Sequence, residues 1–298
     1  MDKSKNGVFG LTNEKMVSSL GNLVSKLEIG EKFKVVGSKL STNKNVLCNN
    51  NPNLKEIPAY NEKIIIDNDK KYNSAGVLIV NRFANKDCVV FFKSSRPVPS
   101  GINKGKFYCD IPGGGIDIED GSLEETASRE LFEESKKLLS ISKNNLAHMK
   151  ESGSFLELPG RRLSGKRKIG LFACYICKLA YVNVKIYNSN KDILKKMSLD
   201  SVYYETIELI RFPIDEIRAY FKNKKLSDIK NQCEIRDSSG TLQFITLLAS
   251  KCLFLAVSGE LPLIDSAVKL IEYEEVENNL DDGKHKGKTI RYGNIVKK

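Results

Sequence analysis

Residues 75–80 (AGVLIV) and 88–92 (CVVFF) are short apolar runs rich in β-branched and aromatic side chains. Such runs predict buried strands. Asn85, Lys86 and Asp87 lie between them and predict the turn of a hairpin. Residues 107–112 read as a further short strand, ending in Gly113, Gly114 and Gly115. Beyond Ser122 the period changes. Leu123, Ala127, Leu131 and Leu138 give one apolar face, and Ser122 with Glu125 forms a capping box, so a helix is predicted over residues 122–139. Strand signals return at residues 153–158 and 168–180, separated by a basic stretch. A last strand is predicted at 207–212, Pro213 begins a helix, and residues 242–257 read as a core helix. The order strands, helix, strands, helix predicts an α/β (α+β) fold with a mixed sheet between helices.

The flanks carry weaker patterns. Residues 1–72 read as an N-terminal extension, with Val17, Leu20, Val24 and Leu27 at helical spacing and an Asn-rich loop at 43–53. Residues 73–262 form the expected globular domain, and 263–298 a charged C-terminal tail, loose from residue 281.

Composition narrows the function classes. The 298 residues are 41% hydrophobic and 29% charged, which is globular composition. A net charge of +11 attracts nucleic acid, phosphorylated metabolites or anionic surfaces, and also follows simply from abundant Lys. Seven cysteines at irregular spacing do not form a disulfide framework and point to a reducing, cytoplasmic compartment. Cys174 and Cys177 lie three apart on a predicted strand, so they face opposite ways, and no second pair completes a zinc site. The longest apolar stretch holds Gln243 and Lys251 and is too short to span a membrane. His148 and His285 have no Ser or Cys motif around them, which leaves triad chemistry without support.

The chemistry concentrates in the predicted helix. Glu130, Glu133 and Glu134 are three and four apart, so they crowd about one turn and repel one another. Arg129 relieves part of this, by reaching Glu133 or Glu125, and a hard divalent cation would relieve more. The glycine triplet lets backbone carbonyls approach the same metal. A lone acidic cluster is usually a solvated face; here it follows a strand, a glycine triplet and a helix cap. The pattern Arg-Glu-Leu-Phe-Glu-Glu should arise by chance in a chain this long at a rate on the order of one in a thousand.

Residues 115–138 resemble the Nudix box, G-x5-E-x7-R-E-U-x-E-E-x-G-U, with U a bulky aliphatic residue. Gly115, Arg129, Glu130, Leu131, Glu133 and Glu134 match at the required spacing. The box's first glutamate falls on Gly121, its late glycine on Lys136 and its last aliphatic on Lys137. The early glutamate of the family mainly orients the arginine, so Glu119, Asp120 or Glu125 would have to replace it here.

The resemblance spans roughly residues 74–260. It implies a Nudix-like mixed β-sheet sandwiched between helices, an Mg²⁺ or Mn²⁺ cofactor, and hydrolysis of a diphosphate linkage in a nucleotide-type small molecule. The implied metal ligands are Gly114, Glu130, Glu133 and Glu134. Glu133, Glu134 and Arg129 are the implied catalytic set, with a further carboxylate from Glu205 or Glu208, of which Glu208 is taken here. Arg96 and the basic residues Arg161, Arg162 and Arg167 are the substrate-binding candidates. Two other readings stay open: an RNA cap-processing hydrolase, which the basic stretch favours, and an inactive Nudix-like binding module, which Gly121 and Lys136 favour.

Overall fold

The computed structural model describes residues 63–98, 103–160, 170–196, 205–280 and 285–293. The chain divides into Met1–Tyr60 and Asn61–Lys298, and the description below concerns the second unit. The expected helix around Val17–Leu27 and the basic candidates Arg161, Arg162 and Arg167 lie outside the described residues.

The centre is a long hairpin, β1 being the short strand Ile65–Asp67 that precedes it. Strands β2 (Lys70–Phe83) and β3 (Lys86–Ser94) pair antiparallel, with Phe83 opposite Lys86. The turn is Ala84–Asn85, one residue earlier than the sequence implies, with both φ values positive (47° and 63°). That is the geometry two-residue hairpin turns favour, because its twist matches the strands. Strands β4 (Tyr108–Asp110) and β5 (Gly113–Gly115) follow. The glycine triplet is therefore itself a strand. It pairs with Ser74, Ala75 and Gly76, and side chains at Gly76 and Gly113 would collide with the opposite backbone.

Helix α1 (Leu123–Glu134) ends five residues before the predicted residue 139. It stops at Ser135, and Lys136 and Lys137 both adopt φ of 58°. The chain reverses there and Leu138 enters the core by a turn. Then come β6 (Leu139–Ile141), α2 (Lys143–Glu151), β7 (Phe155–Pro159), β8 (Leu171–Leu179) and α3 (Val184–Lys196). Strand β9 (Thr206–Pro213) runs into α4 (Ile214–Phe221). Strands β10 (Cys233–Arg236) and β11 (Leu242–Ile245) precede α5 (Leu247–Val257), so the predicted core helix surrenders its first turn to a strand.

The large sheet runs β10-β11-β4-β3-β2-β8-β12, where β12 is Val268–Leu270, with β9 also on β3 and β7 on β8. It is mixed: β2 and β8 are parallel, β2 and β3 antiparallel. Alternate residues feed two cores. Leu78, Val80, Phe91, Cys174 and Ile176 pack under α4 and α5, while Val77, Ile79, Phe92, Tyr175 and Cys177 pack against α1, α2 and α3. Cys174 and Cys177 thus stand on opposite faces, as their spacing requires. The architecture is the expected mixed sheet between helices. No helix among the described residues is long and apolar enough to cross a membrane.

Two expected boundaries need correction. Strands β1 and β2 begin before residue 72, so the folded unit starts earlier. The supposed charged tail is built in: β13 (Tyr273–Asn279) and β14 (Lys286–Tyr292) pair with each other, and β14 pairs parallel with β6. Its charges alternate with inward residues, and Ile290 and Tyr292 are fully buried. The Tyr292 hydroxyl accepts from the Tyr181 amide at 2.9 Å. Tyr292→Ala is therefore expected to cost about 3 kcal/mol, from lost burial and a cavity. A tail without structural work would leave the melting temperature unchanged.

Candidate functional site

Helix α1 presents two faces. Leu123, Ala127 and Leu131 bury against the sheet, which turns the other side of the helix toward β5 and the loop before Ser122. The cap is local. Ser122 Oγ accepts from the Glu125 amide at 3.2 Å. Glu125 reaches back to the Gly121 amide at 2.7 Å and outward to Lys143 at 2.9 Å.

Arg129 is the organising residue. Its Nε and Nη2 donate to Asp120 Oδ1 and Oδ2 at 3.2 and 2.9 Å. Nη1 donates to Glu130 at 2.9 Å and Glu133 at 3.1 Å, and Nη2 donates also to the Gly115 carbonyl at 3.0 Å. One guanidinium thus ties the acidic loop, β5 and the helix carboxylates together through a bidentate fork that Lys could not reproduce. Asp120 is only 6% exposed and accepts in addition from the Asp117 amide and the Thr126 hydroxyl. Burial pushes its carboxyl up. The hydrogen bonds from Arg129, Asp117 and Thr126 outweigh this and hold it below the ordinary range. The partner that the box's early glutamate would supply is thus supplied by Asp120, one residue earlier. Glu125 does not do it, because Lys143 and the Gly121 amide occupy it.

Glu130 packs on Gly114: any side chain there would overlap its carboxylate. Glu134 is more deeply buried, with Oε2 accepting from the Gly113 amide at 3.2 Å. Burial pushes Glu130 up to about 7, with Glu133 and Glu205 adding to the shift and Arg129 opposing it. Burial raises Glu134 well above the ordinary range, and Glu130, Asp110 and Glu205 raise it further. Burial raises Glu133 as well, against Arg129. At the helix end, burial pushes Lys136 down to about 8, while Glu134 and Glu205 pull it back. Lys136 occupies the box's late-glycine position, and its positive φ is the conformation a glycine would adopt at less cost.

The remaining candidates are dispersed. Glu208 lies on β9 opposite Lys93, 3.8 Å from its ammonium and largely exposed. Glu205, rather than Glu208, is close enough to act on Glu130 and Glu134. Arg96 is exposed just after β3, where its backbone is turned by hydrogen bonds with Ser94. Asp110 was not legible as part of the site. It ends β4, accepts from Thr246 at 2.8 Å and adds negative charge beside Glu134.

Among the described residues, no three His, Cys, Asp or Glu side chains are drawn together as a ready-made metal cage. The donor set nevertheless suits a hard divalent cation. Glu130, Glu133, Glu134, Asp110 and Glu205 offer only oxygen donors, and those of α1 are held at raised affinity for a proton by burial and mutual repulsion. A cation that displaced those protons would relieve both costs.

No family model matches the chain, and neither does any of the curated proteins compared with it. Solved structures do. One is the Nudix domain of NrtR from Shewanella oneidensis, complexed with ADP ribose: 12% identity, 50% of this chain, 76% of that one, TM-score 0.28. A C. elegans Ap4A hydrolase matches at 17% identity over 49% of this chain and 82% of that one, TM-score 0.28. A MutT/nudix family protein from Enterococcus faecalis matches at 9% identity, 50% and 54% coverage and TM-score 0.27. This chain's own fold is a mixed sheet between helices, with a glycine strand leading into the Arg129 helix. Gly114 is a point of close approach in it. Gly114→Ala should swing the Glu130 carboxylate away and weaken Mn²⁺ binding about tenfold or more, with little change in circular dichroism. Unchanged Mn²⁺ affinity would show that the Gly114–Glu130 approach is incidental.

Proposed function

We propose that the protein is a divalent-metal-dependent hydrolase of the Nudix type that cleaves a diphosphate linkage in a nucleotide-type substrate. The observation that carries this reading is the Arg129 network. Arg129 binds Asp120, Glu130, Glu133 and the Gly115 carbonyl at once, so the departure at Gly121 has been made good within the same loop. An inactive module would have no need of that anchor; a catalytic helix needs its carboxylates fixed.

In this reading Glu130, Glu133 and Glu134, with the Gly114 carbonyl, hold Mg²⁺ or Mn²⁺. When bound, such an ion neutralises the diphosphate and lowers the pKa of a water. The chain's own residues do the rest. Arg129 fixes the rotamers of Glu130 and Glu133, and the Gly113 amide fixes one oxygen of Glu134. Burial raises Glu134, so a metal ion competes with a proton for it. Glu205 and Asp110 add negative charge beside it and suit hard cations over anions. Arg96, Arg161, Arg162 and Arg167 are proposed to bind the phosphates, and Glu208 to lie outside the carboxylate cluster.

A phosphate-release panel with Mg²⁺ and Mn²⁺ tests this, using nucleotide sugars, dinucleoside polyphosphates, inositol pyrophosphates and capped RNA. Metal-dependent release from one nucleotide diphosphate class is expected. No release from any substrate under either metal would favour the inactive binding module instead.

A further inference from the structure

At the far end of the sheet, beside the β2–β3 turn, a second charged group stands inside the protein. Arg211 on β9 is 9% exposed. Its partner in register is Val90 of β3; Cys88, two residues along β3, pairs with Pro213 and lies opposite Asn81 of β2. Its Nη2 donates to the Val182 carbonyl at 3.1 Å. The guanidinium carbon lies 4.5 Å from the centre of the Phe83 ring, which is itself 43% exposed. Nε is buried and makes no hydrogen bond. Among the described residues no carboxylate reaches Arg211.

This is an unusual arrangement. A guanidinium stays protonated and carries five N–H donors in a fixed fork. Buried arginines are normally matched by a carboxylate, because an uncompensated buried charge is costly. Here one neutral carbonyl and one phenyl face offset that cost, and Asn81 is committed to the Leu179 carbonyl at 2.9 Å. The Cys88 thiol does not replace a counter-ion: burial pushes it up, although Arg211 pulls it down. Burial likewise lowers Arg211 itself. The surrounding surface adds Lys86 at the turn and Lys178 on β8, the latter 3.9 Å from Asp87.

We infer that Arg211, roofed by Phe83, forms a binding site for a small oxyanion, with phosphate as the simplest member of the class. The Nε edge would supply the buried hydrogen bond and the second N–H of Nη2 the other prong, the side-on bidentate mode in which arginine recognises phosphate and carboxylate. Phe83 would screen the pair from water on one side. The site is distinct from the carboxylate helix and does not depend on the proposed hydrolase activity.

The test uses the full-length, metal-free protein and inorganic phosphate at constant ionic strength. The ¹⁵N resonance of Arg211 Nε is followed through the titration, with chloride as control. A saturable shift with phosphate and none with chloride is expected. In parallel, phosphate should raise the melting temperature by about 3 °C near tenfold saturation in the wild type and in Glu133→Gln. Arg211→Lys keeps the charge and loses the fork, and should weaken phosphate binding at least tenfold. An Arg211 Nε signal that does not move in the wild type overturns the proposal without any variant. So does a phosphate effect equal in Arg211→Lys, or one that Glu133→Gln abolishes, since the phosphate would then be bound elsewhere.

Discussion

Asp120→Asn is expected to lower the melting temperature by about 4–8 °C and to remove most of the activity. The carboxylate is buried and receives both prongs of the Arg129 fork, the Thr126 hydroxyl and the Asp117 amide. An amide in its place offers donors to donors and leaves Arg129 without its main anion. Removing one member of a fully buried pair costs about 3–5 kcal/mol. Arg129 is 28% exposed, so water recovers part of this and about 2 kcal/mol remains. The functional loss has a second cause: Arg129 would be free to leave Glu130 and Glu133. The discriminating control is Gly121→Glu. In the wild type it should bring no gain, because Asp120 already fills the role and the new Cβ would sit 2.8 Å from Glu125 Oε2. In the Asp120→Asn background it should restore part of both stability and activity. Rescue absent in the double variant, with Asp120→Asn as stable as wild type, would remove Asp120 from the account.

Glu134→Gln should abolish turnover, by on the order of a hundredfold or more, while making the metal-free protein more stable at high pH. The sign follows from proton uptake. Glu130 has an ordinary value of 4.5 and sits at about 7 in the folded protein, and Glu134 is raised in the same direction. Between the unfolded and folded values the native state therefore holds protons that the unfolded chain has released. Stability is then fully present below about pH 4.5 and falls as pH rises through 7. Removing the Glu134 charge removes part of that fall, so the variant should melt above wild type at pH 8 and close to it at pH 4.5. Mg²⁺ at pH 8 should restore the wild type and do little for the variant. A wild type whose stability rises from pH 5 to pH 8 without metal would contradict the burial of these carboxylates.

The helix that carries the site was legible because its period, its Ser122 cap and its carboxylate spacing all lie within a dozen residues. Its end was not. The apolar Leu138 continues the period, yet Lys136 and Lys137 turn left-handed and β6 then pairs with β14, a partner some 150 residues on. Asp120 stood among three candidates in the sequence, and intrahelical geometry favours Glu125 over it. Tertiary contacts decided otherwise: Lys143 of α2 captures Glu125, and the loop folds Asp120 back onto Arg129. Asp110 and Arg211 had no local signal at all, since each acquires its meaning from strands brought beside it by the sheet. The C-terminal strands were hidden by their charges, although the inward positions Ile290 and Tyr292 are apolar.

The most direct test of the metal-dependent reading is a Mn²⁺ titration followed by the paramagnetic resonance of the free ion, at pH 8, on wild type and Glu134→Gln. The wild type is expected to bind Mn²⁺ saturably, with Mg²⁺ competing, and the variant at least tenfold more weakly. Equal affinity and stoichiometry in the two proteins would contradict the claim that the carboxylates of this helix are a metal site.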